Sequence, residues 1–255
     1  MEFGLSVFKE HFADYTDQYV IIGGAACDLL LSFAGLTFRQ TRDIDMVLIV
    51  ESLTKEFGAK FWQFIEDGKY SARMRSNQKP EYYRFVNPLQ SEYPMMVELF
   101  ARPGSADYFE SVGHLAPVHI SDDISSLSAI LLNQAYYSFM LRGKTVLDGI
   151  SIVDAEHLIP LKMRAWLDLT KQQQEGKHVD DKNIRKHRRD VFRLFPVIDE
   201  DTDVKVPAEV YKDIREFTDQ MENIDIELKG IGVTRDKKAI LEVYRKLYTP
   251  ENPGN

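Results

Sequence analysis

The segment Asp43-Ile-Asp-Met-Val-Leu-Ile-Val50 constrains what this chain can fold into more than any other. It is apolar and rich in β-branched residues, with acids only at its start, which is the pattern of a buried strand. A purely helical fold is therefore excluded. Side chains at i and i+2 of a strand share a face about 6.6 Å apart, so Asp43 and Asp45 project together. Two carboxylates so placed repel, and one has its pKa raised unless a cation lies between them. A hard divalent ion held by carboxylates and substrate phosphates answers that repulsion, Mg²⁺ being the usual one. The alternative is a solvated strand entrance behind the polar loop Arg39-Gln-Thr-Arg42.

The same reading extends along the chain. Residues 5–14 predict a short helix leading into the strand Tyr19-Val-Ile-Ile22, which stops at Gly23-Gly24. Ala25 to Ala34 predicts a buried helix closed by Gly35. Thr54 to Glu66 predicts a helix with Phe57, Phe61, Phe64 and Ile65 on one face. Tyr82–Val86 and Met95–Phe100 predict two strands, antiparallel across a loop holding Pro88 and Pro94. Beyond residue 120 helices take over. They are expected over Leu127–Leu141, Ala155 to Gln174 behind an Asp154 N-cap, from about 181 to Phe195, and near 207–223 and 234–248. A hairpin over 145–153 turns at Asp148-Gly149. The expected fold class is α+β, with a catalytic-type mixed sheet flanked by helices over 1–122 and a mainly helical domain carrying the hairpin over 123–255.

Two further features accompany the aspartates. A strand running into Gly-Gly at a helix start lets the backbone approach a phosphate closely, and the free amides of the helix N-terminus favour an anion; a tight strand–helix turn is the plainer reading of Gly23 and Gly24. Glu98 interrupts the apolar run Met95-Met-Val-Glu-Leu-Phe100, where a lone charge is costly unless paired or metal-bound. It is either a third carboxylate beside Asp43 and Asp45, an edge-strand residue, or the partner of Arg84.

Charge narrows the classes. The chain is acidic, with 32 Lys+Arg against 40 Asp+Glu and a net charge of −8, which disfavours non-specific coating of nucleic acid. Yet residues 162–194 carry ten Lys/Arg against five Asp/Glu, a local +5 that leaves −13 for the remainder. A basic helical pair in an acidic chain is a candidate anion site, or else a solvated face. The single cysteine, Cys27, allows no intrachain disulfide and sits in an apolar run, as a small buried hydrophobe would. The amino terminus lacks a signal-peptide pattern and no run of about 18 apolar residues occurs, so a cytoplasmic location without membrane association is expected.

The order of apolar strand, Gly23-Gly24, helix and Arg39-x-Thr41-x-Asp43-x-Asp45 resembles the nucleotidyltransferase superfamily with its polymerase-β-like fold. Within it the chain looks most like the AbiEii/AbiGii-type toxins of abortive-infection and type IV toxin–antitoxin systems. Lys162-Met-Arg-Ala165 resembles that family's Lys-x-x-Ala motif, and His187-Arg-Arg-Asp190-Val-Phe-Arg-Leu194 its later Arg-Asp motif. Gly-Gly is followed by Ala-Ala-Cys rather than the more usual Thr-Ala-Leu. The resemblance spans about residues 18–195. It implies an enzyme that moves a nucleoside monophosphate from a nucleoside triphosphate such as ATP to RNA, tRNA or a protein, with Mg²⁺ or Mn²⁺ as cofactor. It further implies metal ligation by Asp43, Asp45 and Glu98. Nucleotide contacts would come from Gly23, Gly24, Thr41, Arg42 and Lys162, with Asp190 orienting Lys162 or the acceptor; the plainer readings are a turn shaped by Thr41 and Arg42, a helix-surface lysine at 162, and a helix ion pair of Asp190 with Lys186 or Arg193. A cognate antitoxin would be a partner. A non-catalytic nucleotide- or partner-binding module and a small-molecule, antibiotic-type nucleotidyltransferase remain as alternatives.

Overall fold

The computed structural model describes residues 4–39, 41–74, 80–100, 130–131 and 133–251. These divide into two compact units, one within 1–122 and 144–153, the other within 123–143 and 154–255. The chain is a mixed α and β protein.

The first unit is built on a seven-stranded sheet. Its strands are β1 (Tyr19–Ile22), β2 (Asp43–Leu48), β3 (Ser71–Met74), β4 (Pro80–Val86), β5 (Met96–Phe100), β6 (Lys144–Leu147) and β7 (Ile150–Val153), in the order β3-β4-β5-β2-β1-β7-β6. β2 and β5 are parallel, as are β1 and β7, and the other neighbours are antiparallel. All four residues of β1 and of β7 are buried, as strands covered on both faces must be. Three helices accompany the sheet: α1 (Leu5–Phe12), α2 (Gly23–Phe33) and α3 (Lys55–Asp67). Thr54 caps α3 by accepting from the Phe57 amide. Phe8 and Phe12 of α1 and Phe57 of α3 pack against Tyr19 of β1, with Phe64 of α3 against Phe12, Phe8 lying edge-on to Tyr19 at 5.5 Å between ring centroids. Burial pushes the Tyr19 hydroxyl up to about 12. Cys27 is buried in α2, in keeping with its apolar setting.

Three details depart from expectation. The helix expected from Ala25 begins at Gly23, so the two glycines form its first turn. The hairpin read with the second half of the chain belongs to the first unit's sheet, because β7 pairs with β1 at Ile21↔Ile152. β3 was not foreseen; four residues are too few for alternation to register.

The second unit is mainly helical, with α4 (Gln134–Arg142), α5 (Ala155–Gln174), α6 (Asp181–Arg193), α7 (Ala208–Glu222) and α8 (Lys237–Leu247). Val204–Val206 (β8) and Tyr248–Pro250 (β9) add a short parallel pair. Asp154 caps α5 as its position predicts. Of the helix expected over Leu127–Leu141, residues 130 and 131 are helical, and α4 begins at Gln134 behind Asn133, whose side chain accepts from the Ala135 and Tyr136 amides as an N-cap; residues 127–129 and 132 lie outside the described residues. Trp166 of α5 meets Phe217 of α7 edge-on at 5.2 Å. The Arg164 guanidinium links Asp168 and Asp213, and the Tyr136 hydroxyl donates to Asp213 at 2.6 Å, tying α4, α5 and α7 together. Desolvation and the Asp213 charge together hold the Tyr136 hydroxyl protonated. Among the described residues no helix is long and apolar enough to cross a membrane.

Candidate functional site

β1 feeds straight into α2 with no intervening loop. Gly23 takes φ +70 at that junction, a conformation that costs an L side chain but not glycine. Ile22, at the N-cap position, supplies no side-chain cap, so the first amides of α2 are left to other acceptors. The antiparallel register places Ile22 opposite Asp45. A Cβ built on Gly23 would fall 1.7 Å from Asp45 Oδ2, so the carboxylate occupies the space that glycine leaves. At Gly24 the same construction meets Thr41 Oγ1 at 3.0 Å and Arg39 Nη2 at 3.2 Å. The loop ahead of β2 thus folds back over the glycine turn with a hydroxyl and a guanidinium.

Asp43 and Asp45 share one face of β2. Both are half-buried, while Ile44 between them and Met46 beyond are buried on the other face. That opposite face carries the aromatic packing, since Tyr19 pairs with Leu48. A small recess at the start of β2 is lined by Leu5, Ala25, Thr41, Arg42, Asp43, Ile44 and Pro94. Asp43, Asp45, Gly23, Gly24, Thr41 and Arg42 therefore come together within the first unit.

Glu98 is adjacent to this group, though engaged elsewhere. Asp45 pairs with Glu98 across β2–β5, and Glu98 pairs with Arg84 across β5–β4, which makes a row Ile22–Asp45–Glu98–Arg84 over four strands. Residues directly opposite in a ladder share a face. Arg84 Nη2 donates to Glu98 Oε1 at 3.0 Å, with Glu98 only 8% exposed. Glu98 thus stands beside Asp45, as a third carboxylate would, and is at the same time the partner of Arg84. Among the described residues, no three His, Cys, Asp or Glu side chains gather closely enough to hold a metal ion. The residues that could contribute to holding a hard cation are Asp43 and Asp45, two carboxylates on one strand face.

Lys162 and Asp190 lie in the second unit. Both are fully buried, with Lys162 Nζ 3.4 Å from Asp190 Oδ2 across α5 and α6, and Arg193 Nη1 3.4 Å from Asp190 Oδ1. Asp190 therefore lies between Lys162 of the neighbouring helix and Arg193 of its own, so both an inter-helix and an intra-helix ion pair are present. Arg39 and Arg84 also reach this region: Arg39 stands two residues before Thr41, a spacing legible in the sequence, whereas strand register alone decides the contact of Arg84 with Glu98.

Neither family models, nor characterised proteins, nor solved structures give a match to this chain.

Proposed function

We propose that the chain is a metal-dependent nucleotidyltransferase, moving a nucleoside monophosphate from a nucleoside triphosphate to an acceptor, RNA (tRNA included) or protein. The observation that carries this reading is the Asp45 carboxylate seated against Gly23 at the start of α2, with Asp43 two residues away on the same strand face. Amides at the start of α2 would receive the triphosphate, where the partial positive charge of the helix end favours an anion. Arg39 and Thr41, over Gly24, would add a guanidinium and a hydroxyl to the same phosphates, with Arg42 beside them. Asp43 and Asp45 would hold Mg²⁺ or Mn²⁺, which when bound supplies neutralisation of charge building on the phosphate oxygens. In the reaction the acceptor oxygen bonds to the α-phosphorus, the bond to the pyrophosphate oxygen breaks, and a carboxylate or water takes the acceptor proton. With Arg84 on Glu98 Oε1, a ligand or base role for Glu98 would fall to its other carboxylate oxygen. Lys162, held by Asp190, keeps the phosphate role only as the family resemblance implies it, as do a toxin's role and a cognate antitoxin.

The test is incubation of purified protein with each α-labelled triphosphate, Mg²⁺ or Mn²⁺, and RNA or protein extract. The wild type is expected to label one class of acceptor and release pyrophosphate. Asp43→Ala and Asp45→Ala are expected to abolish transfer with the fold intact. Full activity in the double variant overturns the assignment. The Arg84–Glu98 pair favours a second reading, a nucleotide-binding module without catalysis; calorimetric binding of a triphosphate with no pyrophosphate released under any metal would establish it.

A further inference from the structure

We infer that the outward face of α6, bearing Lys182, Arg185 and Arg189 with Arg188 alongside, binds the phosphate backbone of RNA. α6 is divided sharply: His187, Asp190, Val191 and Phe192 are buried, while Lys182, Arg185 and Arg189 are exposed. Spacings of three and four residues align these three cations in a stripe about 10 Å long.

The stripe lacks internal compensation. Among the described residues, Lys182, Arg185, Arg188 and Arg189 form no ion pair. The nearby acids are already engaged: Asp190 faces inward to Lys162 and Arg193, Asp180 caps the helix through the Lys182 amide, and Asp181 accepts from Gln173. Arg188 Nε is buried and has no hydrogen-bond partner among the described residues, so its guanidinium is partly dehydrated without an anion. Burial, followed by the charges of Arg189 and Arg185, pushes Arg188 below the usual arginine range. Like charges three and four apart on a helix repel. Their concentration in a chain of net charge −8 is what an anionic partner would relieve.

Three arginines suit phosphate better than a simple solvated face does, because the planar, weakly hydrated guanidinium donates in pairs to phosphate oxygens. A lipid surface is disfavoured, since membrane-lying helices pair cations with inserted apolar residues. Among the described residues, the exposed large apolar side chains are Phe33, Leu36, Leu89, Met95 and Val146, none of them on α6. The choice of RNA over DNA rests on the proposed transfer to an RNA acceptor.

The test measures fluorescence anisotropy of a labelled RNA stem-loop with the full chain, without triphosphate, over a series of salt concentrations. The triple variant Arg185→Gln/Arg188→Gln/Arg189→Gln is expected to bind at least tenfold more weakly. Its slope of log affinity against log salt should fall by about 2–3, near one per lost phosphate contact. Lys229→Gln, an exposed cation outside α6, should bind RNA as the wild type does. Absence of binding by the wild type, an unchanged triple variant, equal affinity for a DNA hairpin of the same length, or preferential binding to anionic vesicles or an acidic peptide each overturns the inference. Failure of transfer with arginine-dependent RNA binding intact would count against the proposed activity alone. Transfer to RNA with affinity indifferent to the three arginines would count against this face alone.

Discussion

The Asp45 carboxylate occupies the volume that a side chain on Gly23 would need: a Cβ there would lie 1.7 Å from Oδ2 and 2.7 Å from Cγ. The glycine therefore has two duties, a positive φ at the strand–helix junction and room for the acid beside the first amides of α2. Gly23→Ala is expected to lose transfer activity and about 1–3 kcal/mol of stability, from strain and displacement of the carboxylate. In an Asp45→Ala background the same change should cost about 1 kcal/mol, the backbone part alone. Urea denaturation of the four proteins in this double-mutant cycle measures the difference.

Arg84 and Glu98 make a largely enclosed pair, with side-chain exposures of 21% and 11%. Arg84→Met leaves the Glu98 carboxylate without that partner and should cost roughly 3–5 kcal/mol, most of it regained in Arg84→Met/Glu98→Gln. With Asp43 and Asp45 as the cation ligands, Glu98→Gln should leave the Mn²⁺ affinity within about threefold of wild type, whereas Asp45→Asn should weaken it at least tenfold. Isothermal titration with the metal alone reads both; a tenfold loss in Glu98→Gln would make Glu98 a ligand.

Lys162→Met removes the cation 3.4 Å from a fully buried Asp190. The expected destabilisation is roughly 3–5 kcal/mol, largely reversed in Lys162→Met/Asp190→Leu. The restored double variant then separates two roles by kinetics: wild-type transfer means an internal ion pair only, and a stable but inactive protein means Lys162 acts on phosphate.

His11 makes a pH dependence visible. Burial lowers its pKa below 6.5, against the opposing effect of its hydrogen bond to the Lys60 carbonyl and the Asp67 charge, with Lys60 adding to the lowering. A depressed pKa means the folded chain resists protonation of this ring. Its stabilising contribution is complete above pH 6.5 and is lost as pH falls through the folded value. Thermal midpoints should drop more steeply between pH 7 and 5 for the wild type than for His11→Gln, which retains a donor for the Lys60 carbonyl.

What the chain's order of residues determined by itself was local. An apolar strand ending in Gly23-Gly24, alternation that sets Asp43 and Asp45 on one face, and the Asp154 cap are all readable because each depends on neighbours within a few residues. Tertiary structure decided the rest. Glu98 stands beside Asp45 and against Arg84 only because β5 lies between β2 and β4 in one particular register. The 145–153 hairpin enters the first unit's sheet because β7 pairs with β1, residues 21 and 152 meeting across a separation no local pattern encodes. β3 and the β8–β9 pair, of three or four residues each, have too little periodicity to read and exist through their partners. The Lys162–Asp190 pair joins residues 28 apart on two helices, and burial supplies what sequence could not: a charge shut away from water must be answered by another within reach.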